Sequence, residues 1–260
     1  QKRVTMDVLS LALLAIGAFA ALLQGLSGFA FPMLMTMLLT MFMPFQTAVA
    51  WTILPSLLLN GVSMLHGVGL RTLLQRYAVF AGLATVGSLL GVYVLLLVEA
   101  LWLQLLLAVV MIWYVGRAWL RPAPLQVSTM PVWQLNSLGF LAGVVGSATN
   151  AMAPILMIAL LAMNKDRRET IQVANLCFIL SKLCQFVGMY VGGQWLFTWQ
   201  DTDILLAVCA VALLFWFVGF KWQQRLSPVL FQKVVLLMLV AMAVLQLWQS
   251  LPLLWLKIHA

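Results

Sequence analysis

One short motif occurs twice in this chain, and it limits the possible folds more than any other feature. The first copy runs from Gly25 to Leu34, and the second runs from Gly143 to Leu156. Each copy has two glycines three residues apart, then a proline, then a run of Leu and Met, all within apolar sequence. Because glycine tolerates unusual backbone angles and proline lacks an N–H donor, both copies predict interrupted helices.

The apolar sequence around the motif predicts an integral membrane protein. Of the 260 residues, 65% are hydrophobic and only 8% are charged, whereas a soluble domain is about half apolar and about a quarter charged. The net charge of +8 does not indicate nucleic-acid binding, because the basic residues are scattered through short loops as determinants of topology are. The three cysteines are interpreted as small buried hydrophobic residues, and no cofactor or metal is expected.

The order of the apolar segments predicts an all-α polytopic membrane protein made of two inverted-topology repeats. Each repeat is expected to hold a broken or re-entrant helical hairpin and three transmembrane helices. The first repeat, 1–120, has a hairpin at 8–43 and helices at 47–65, 77–98 and 101–120. A cytoplasmic linker follows at 121–133. The second repeat, 134–260, has a hairpin at 135–163 and helices at 170–191, 204–220 and 229–248.

The charged residues between these segments predict the orientation. Ten of the 14 Lys and Arg residues fall in loops that can share one side, namely Arg71, Arg76, Arg117, Arg121, Lys165, Arg167, Arg168, Lys221, Arg225 and Lys233. The positive-inside rule makes that side cytoplasmic, and the two halves then run in opposite directions. The first arm, 8–23, has the pattern of a signal peptide but is interpreted as an uncleaved helix. Whether it crosses fully stays open.

Two breaks at matching positions predict a binding site between the halves. Irregular backbone survives in hydrocarbon only where it is buried in protein or lines a cavity. Free N–H groups at the N-terminus of a half-helix favour an anionic ligand. The alternative is that the glycines only let helices pack closely. The proline and the recurrence of the motif in both halves favour the binding site.

The helix after each hairpin carries polar residues on one face. The first series is Thr52, Ser56, Asn60 and Ser63, and the second is Gln172, Asn175, Lys182 and Gln185. Lys182 is the one charged residue deep in a predicted span, and no carboxylate lies at a comparable depth, so an anionic substrate is interpreted as its partner. Snorkelling or neutralisation of the lysine is the alternative.

The predicted site follows from these motifs. The predicted substrate-binding residues are Gln24, Gly25, Ser27, Gly28, Thr52, Ser56, Ser147, Thr149, Asn150, Asn175, Lys182 and Gln185. The residues predicted to shape the cavity are Pro32, Gly143, Gly146 and Pro154.

The two glycine motifs and the segments 46–50 and 169–175 resemble the sulfite exporter TauE/SafE family, also called the TSUP family. The resemblance covers nearly the whole chain. It implies a multi-pass protein of the bacterial inner membrane that exports a small anion such as sulfite, an organosulfonate or a related carboxylate. Alternating access around a midplane site is expected. Ala30 and Phe31 stand where the family has further glycines, which predicts either a narrower first site or tighter packing there.

Two other functions are alternatives to anion transport. An intramembrane enzyme would use Lys182 as a general base, but His66 and His259 lie near loops or ends and form no metal cluster. A membrane subunit without transport activity is disfavoured by the duplicated breaks. The expected partners are a small anion and the lipid bilayer, and no nucleic acid. Homo-oligomerisation, substrate, direction and coupling ion are left open.

Overall fold

The computed structural model describes residues 2–65, 68–120, 130–163, 167–193 and 201–223, and nine scattered positions from Leu237 to Trp255. Within this part the regular structure is helical, with no strand, as predicted. The helices are α1 (Lys2–Ser27), α2 (Phe31–Leu39), α3 (Phe45–Met64), α4 (Leu70–Leu97), α5 (Ala100–Leu120), α6 (Val132–Thr149), α7 (Ala153–Ala162), α8 (Arg167–Val191) and α9 (Thr202–Gln223).

Five of these helices are long and apolar enough to cross a membrane. They are Leu9–Ser27 within α1, Phe45–Met64, Leu70–Leu97, Arg168–Val191 and Thr202–Gln223. Their outer surfaces expose large hydrophobic side chains such as Val79, Val187 and Leu214. Such surfaces are favourable against lipid and unfavourable against water. The chain is therefore a multi-pass membrane protein.

The helix bounds differ from the predicted ones mainly at α4. This helix begins at Leu70, not at 77, and its 28 residues span about 42 Å at about 1.5 Å per residue. That length exceeds a hydrocarbon core of about 30 Å, so the first turns can carry Arg71 and Arg76 in the interfacial region. Most of the predicted helix 229–248 and of the linker 121–133 lies outside the described residues, and the bounds of the two repeats stay a prediction.

Both glycine-proline motifs form helix breaks with similar geometry. Gly28 ends α1 with φ +89°, and Asn150 ends α6 with φ +63°. Each donates its N–H to the carbonyl four residues earlier, over 2.6 Å to Gln24 and over 2.8 Å to Gly146. Left-handed backbone suits glycine and is tolerated by asparagine. The two motifs thus stop their helices by the same local device.

The helix after each break is too short to cross the membrane. α2 has 9 residues and α7 has 10, which correspond to about 14 and 15 Å of helix, or about half of the hydrocarbon core. Each begins with a proline in its first turn, Pro32 in α2 and Pro154 in α7, where a missing N–H costs nothing.

Helices α3 and α8 pack against each other and run in opposite directions. Gln172, early in α8, donates to the carbonyl oxygen of Met64 at the end of α3, over 2.9 Å. Lys182, nine residues before the end of α8, contacts Thr52 near the start of α3. Residue numbers rise on one helix as they fall on the other, so the two helices are antiparallel.

Glycine contacts hold α1 against α9. A side chain at Gly25 would overlap the carbonyl oxygen of Trp216, and one at Gly219 would overlap the carbonyl oxygen of Leu22. The two backbones therefore touch where these glycines face each other.

The same arrangement holds α6 against α4. A side chain at Gly143 would overlap the carbonyl oxygen of Ala84, and one at Gly87 would overlap that of Phe140. The buried hydrophobic residues divide accordingly into two clusters. One lies mainly in α1, α2, α3 and α9, and the other in α4, α6, α7 and α8.

Candidate functional site

Lys182 lies deep inside the helix bundle. At about 1.5 Å per residue it is about 22 Å from the start of α8 and about 14 Å from its end. Only 3% of its surface is exposed. A lysine at this depth cannot reach water by extending its side chain along the nearest surface, as a snorkelling lysine does.

Three neutral oxygens surround the Lys182 ammonium. Its Nζ donates to Asn150 Oδ1 over 2.6 Å, to Gln185 Oε1 over 2.7 Å and to Thr52 Oγ1 over 3.3 Å. An ammonium has three donors, so these acceptors account for all of them. Within the part of the chain that the structure describes, Lys182 makes no ion pair.

Further hydrogen bonds hold these acceptors in place. Asn150 Nδ2 donates to Thr36 Oγ1 over 2.6 Å and to Thr52 Oγ1 over 2.8 Å. Gln185 Nε2 donates to the Ser147 carbonyl over 2.7 Å and to Asn150 Oδ1 over 2.9 Å. We call Thr36, Thr52, Ser147, Asn150, Lys182 and Gln185 the lysine cluster. All are at most 5% exposed, and they come from α2, α3, α8 and the end of α6.

Four amide or carbonyl groups meet at the first break. Gln24 Nε2 donates to Asn60 Oδ1 over 3.0 Å and to the Gly28 carbonyl over 3.2 Å. Asn175 Nδ2 donates to the same carbonyl over 3.2 Å and to that of Ile171 over 2.7 Å. We call Gln24, Gly28, Asn60 and Asn175 the amide cluster. It contains no charged side chain.

The two clusters lie at different depths along the same helices. Thr52 of the lysine cluster and Asn60 of the amide cluster are both on α3, about 12 Å apart along its axis. Ser56 lies between them on the same face. The structure thus gathers the predicted polar residues into two groups, one at each break.

At the first break the N–H groups that were expected to bind an anion already have partners. Ser27 Oγ accepts from the N–H groups of Phe29 and Ala30, each over 3.2 Å. Gln24 Oε1 accepts from the N–H of Phe31 over 2.9 Å. At the second break, Thr149 Oγ1 accepts from the N–H of Ala151 over 3.3 Å. In this conformation these side chains cap the backbone.

The motif glycines have separate roles. Gly25 and Gly143 lie at the contacts with α9 and α4 and outside both clusters. These two glycines therefore let helices pack closely, which was the alternative to a role in the binding site. Gly28 supplies the left-handed turn. A side chain at Gly146 would overlap Met152, so this glycine makes room for the chain after the break.

Other polar side chains join α8 to the end of α3 and the start of α4. Glu169 accepts from Arg76 Nη1 over 3.0 Å and from Tyr77 Oη over 2.9 Å. Gln172 holds Met64 and Val68, accepting from the Val68 N–H over 2.9 Å and donating to its carbonyl over 2.7 Å. We call Arg76, Tyr77, Glu169 and Gln172 the latch. It lies at the end of the molecule that the charge pattern predicts to be cytoplasmic.

The sequence did not single out Thr36, the lysine-cluster residue on α2. It is a lone threonine in a run of Leu and Met, and no pattern distinguishes it from a packing residue. Ser181, the neighbour of Lys182, contacts Ser147 over 2.8 Å and not the lysine. No group of three His, Cys, Asp or Glu side chains in the described ranges is placed to hold a metal ion.

Comparison with known proteins identifies the family. Searches of the curated proteins and of the solved structures found no match. The family model described as sulfite exporter TauE/SafE matches residues 13–245. The matched region includes both helix breaks, both polar clusters and the latch. The members of this family are transporters, and the chain belongs to the sulfite exporter TauE/SafE family.

Proposed function

We propose that the protein moves a small anion across the inner membrane, with Lys182 as its counter-charge. The observation that carries this proposal is the buried Lys182 amino group, whose three hydrogen-bond partners are all neutral. A buried cation without an anionic partner is costly, and an ionisable residue in a membrane span usually serves function. The proposed substrate, which is sulfite, an organosulfonate or a related carboxylate, supplies the missing charge.

The neighbours of Lys182 are suited to share an anion with it. Gln185 Nε2 is a donor adjacent to the ammonium and shares the acceptor Asn150 Oδ1 with it. An oxyanion that displaces Asn150 Oδ1 would accept from the ammonium and from the Gln185 proton that Asn150 Oδ1 now holds, while both protons of Asn150 Nδ2 stay on Thr36 and Thr52. Charge-assisted hydrogen bonds of this kind are about twice as strong as neutral ones.

Alternating access is proposed because the two halves have corresponding parts. Gly25 of α1 and Gly219 of α9 allow close contact between their helices. Gly143 of α6 and Gly87 of α4 do the same for theirs. The antiparallel pair α3 and α8 follows the two hairpins in chain order. This correspondence supports inverted repeats, whose rocking about a shared site exposes it to each side in turn. Export is the proposed direction, in line with the description of the family.

Sulfite flux into or out of proteoliposomes tests the proposal. The wild-type protein is expected to give saturable flux, and Lys182→Met is expected to reduce it at least about 30-fold, because losing one partner of a buried charge pair costs about 2 kcal/mol or more. Lys221→Met is the matched control, since Lys221 lies near the end of α9 over the Phe217 ring, 4.5 Å from its centroid.

Two results would contradict the proposal in different ways. Normal sulfite flux in Lys182→Met would remove Lys182 from the substrate site. No saturable flux of sulfite, sulfonates or small carboxylates in a correctly folded wild-type protein would remove anion transport itself.

A further inference from the structure

We propose that the amide cluster and Ser56 form a second binding station for the transported oxyanion, between Lys182 and the latch. This inference rests on the proposed function and adds a step to it. Three buried polar atoms that have no hydrogen-bond partner among the described residues lie along this path. They are Asn60 Nδ2, Asn175 Oδ1 and Ser56 Oγ.

The orientation of Gln24 determines which end of the Asn60 amide is left without a partner. Gln24 Oε1 accepts from the Phe31 N–H, so Gln24 Nε2 must be the donor to Asn60. Asn60 therefore presents Oδ1 to Gln24 and cannot be rotated to exchange its two ends. Its Nδ2 is left as a buried donor, and leaving such a group unpaired is costly.

Asn175 is fixed in the same way. Its Nδ2 donates to the carbonyl oxygens of Gly28 and Ile171, which can only accept. Its Oδ1 therefore stays an unpaired acceptor. Asn60 and Asn175 come from α3 and α8, and both reach the Gly28 region, Asn60 through Gln24 and Asn175 directly. The station is thus formed by both halves of the chain.

Ser56 connects this station with the lysine cluster. Hydroxyls in helices usually bond to their own backbone, and Thr52 and Ser63 on α3 do so, with Val49 and Leu59. The Ser56 hydroxyl does not, although the residue is fully buried. It lies about 6 Å along the axis from both Thr52 and Asn60, so one hydroxyl is available midway between the two clusters.

The donors and acceptors fit an oxyanion better than a metal cation. The Gly28 carbonyl already accepts two hydrogen bonds, which occupy both of its lone pairs. The N–H of Asn60 would repel a cation. Asn60 Nδ2 and the Ser56 hydroxyl can instead donate to anion oxygens, and Asn175 Oδ1 can accept from a hydroxyl of the anion or from a water that accompanies it. Lys182 is about 10 Å away along α8, where its charge still attracts an anion in a poorly polarisable interior.

Ser56→Ala is the most direct test, because Ser56 Oγ has no hydrogen-bond partner among the described residues and the substitution therefore removes no hydrogen bond. Two matched controls are available. Ser88→Ala removes another buried hydroxyl without a partner, on α4 beside Gly143, and Ser63→Ala removes a bonded hydroxyl from the same face of α3. Sulfite binding to the purified protein, its melting temperature and sulfite flux in proteoliposomes are measured for each.

The inference predicts that Ser56→Ala lowers the maximal rate of sulfite flux about three- to tenfold, the effect of one lost hydrogen bond. Its melting temperature and its sulfite Kd stay unchanged, since the tight site is at Lys182. Asn60→Leu should lower the maximal rate at least as much while keeping the Kd. Both control variants should match the wild type.

Several outcomes would overturn the inference. If sulfite flux in Ser56→Ala has the same maximal rate as in the wild type, the second station is ruled out but the proposed function is not. Equal losses of binding and flux in Ser56→Ala make the two clusters a single site. A sulfite flux that requires Na⁺, with that requirement lost in Ser56→Ala, makes this a cation site. Absence of flux in the wild type removes the proposed function and the station together.

Discussion

At the scale of single residues, the lysine cluster depends on side chains that are far apart in sequence. Thr36 and Thr52 both accept from Asn150 Nδ2, and Asn150 Oδ1 in turn accepts from Lys182. Each member positions the next. A change at the edge of the cluster should therefore affect the ammonium even where the changed residue does not contact it.

Thr36→Val tests this dependence. The substitution keeps the shape of the side chain but removes the acceptor that holds Asn150 over 2.6 Å. We expect the KM for sulfite flux to rise about three- to tenfold, because one hydrogen bond of about 1 kcal/mol is lost from the group that orients Lys182.

Thr40→Val is the control for Thr36→Val. Thr40 lies just after α2 and donates to the Met37 carbonyl over 2.6 Å. Its replacement should leave the KM unchanged. A normal KM in Thr36→Val would mean that Asn150 keeps its position without this acceptor.

The sequence was sufficient to predict that Lys182 lies deep in a span, because a charge among apolar residues is easily recognised and costly to bury. It was not sufficient to find Thr36, whose partner Asn150 is distant in sequence and approaches it only in the folded protein. For the same reason the sequence could not separate the lysine cluster from the amide cluster. Spacing on α3 and α8 gives the face of each side chain but not the direction in which the helices face each other.

At the scale of helices, the glycine motif combines two functions that the sequence alone could not separate. Gly25 is needed for contact with α9, and Gly28, three residues later, is needed for the turn. The residue across from a glycine is known only when the partner helix is placed. The existence of the breaks was predictable, since glycine and proline interrupt helices wherever they pack.

Gly25→Leu is predicted to destabilise the protein severely. The added side chain would overlap the Trp216 carbonyl and lie within 2.7 Å of the Phe220 nitrogen. These are backbone atoms that cannot move aside, so α1 and α9 must separate. We expect loss of the monodisperse peak in detergent, measured by size-exclusion chromatography of the expressed protein.

The control for Gly25→Leu is Gly82→Leu. A side chain at Gly82 of α4 meets nothing within 4 Å, so this variant should elute as the wild type does. A stable, monodisperse Gly25→Leu protein would show that the backbones of α1 and α9 do not touch at Gly25.

The latch joins helices that alternating access would have to separate. Gln172 makes three hydrogen bonds to Met64 and Val68. We predict that Gln172→Leu opens this end more often. In a background with Cys177, Cys184 and Cys209 replaced by Ala, a cysteine at Ser63 should then be labelled at least about threefold faster by a polar maleimide, the effect of about 0.7 kcal/mol on the opening equilibrium.

The labelling experiment has its own control in Gln75→Leu. Gln75 is exposed on the same stretch of α4 and takes no part in the latch, so the labelling rate should not change. Equal rates for Gln172→Leu and the wild type would mean that these hydrogen bonds do not hold the end closed.

At the scale of the whole molecule, the two halves are similar in architecture and different in chemistry. The first break follows its packing glycine, Gly25, by three residues, whereas the second follows Gly143 by seven. The second arm is thus one helical turn longer beyond its contact. The extra turn brings Asn150 to Lys182 and Thr52, while the first break ends among uncharged amides. This difference is the structural basis of the proposal that one station is charged and the other is not.

The most direct test of the central claim is equilibrium binding of radiolabelled sulfite to the purified protein, comparing wild type, Lys182→Met and Lys221→Met. We expect saturable binding to the wild type and to Lys221→Met, and affinity at least about 30-fold weaker for Lys182→Met. Equal affinity for all three proteins, with each shown to be folded, would contradict the claim that the buried ammonium holds the anion.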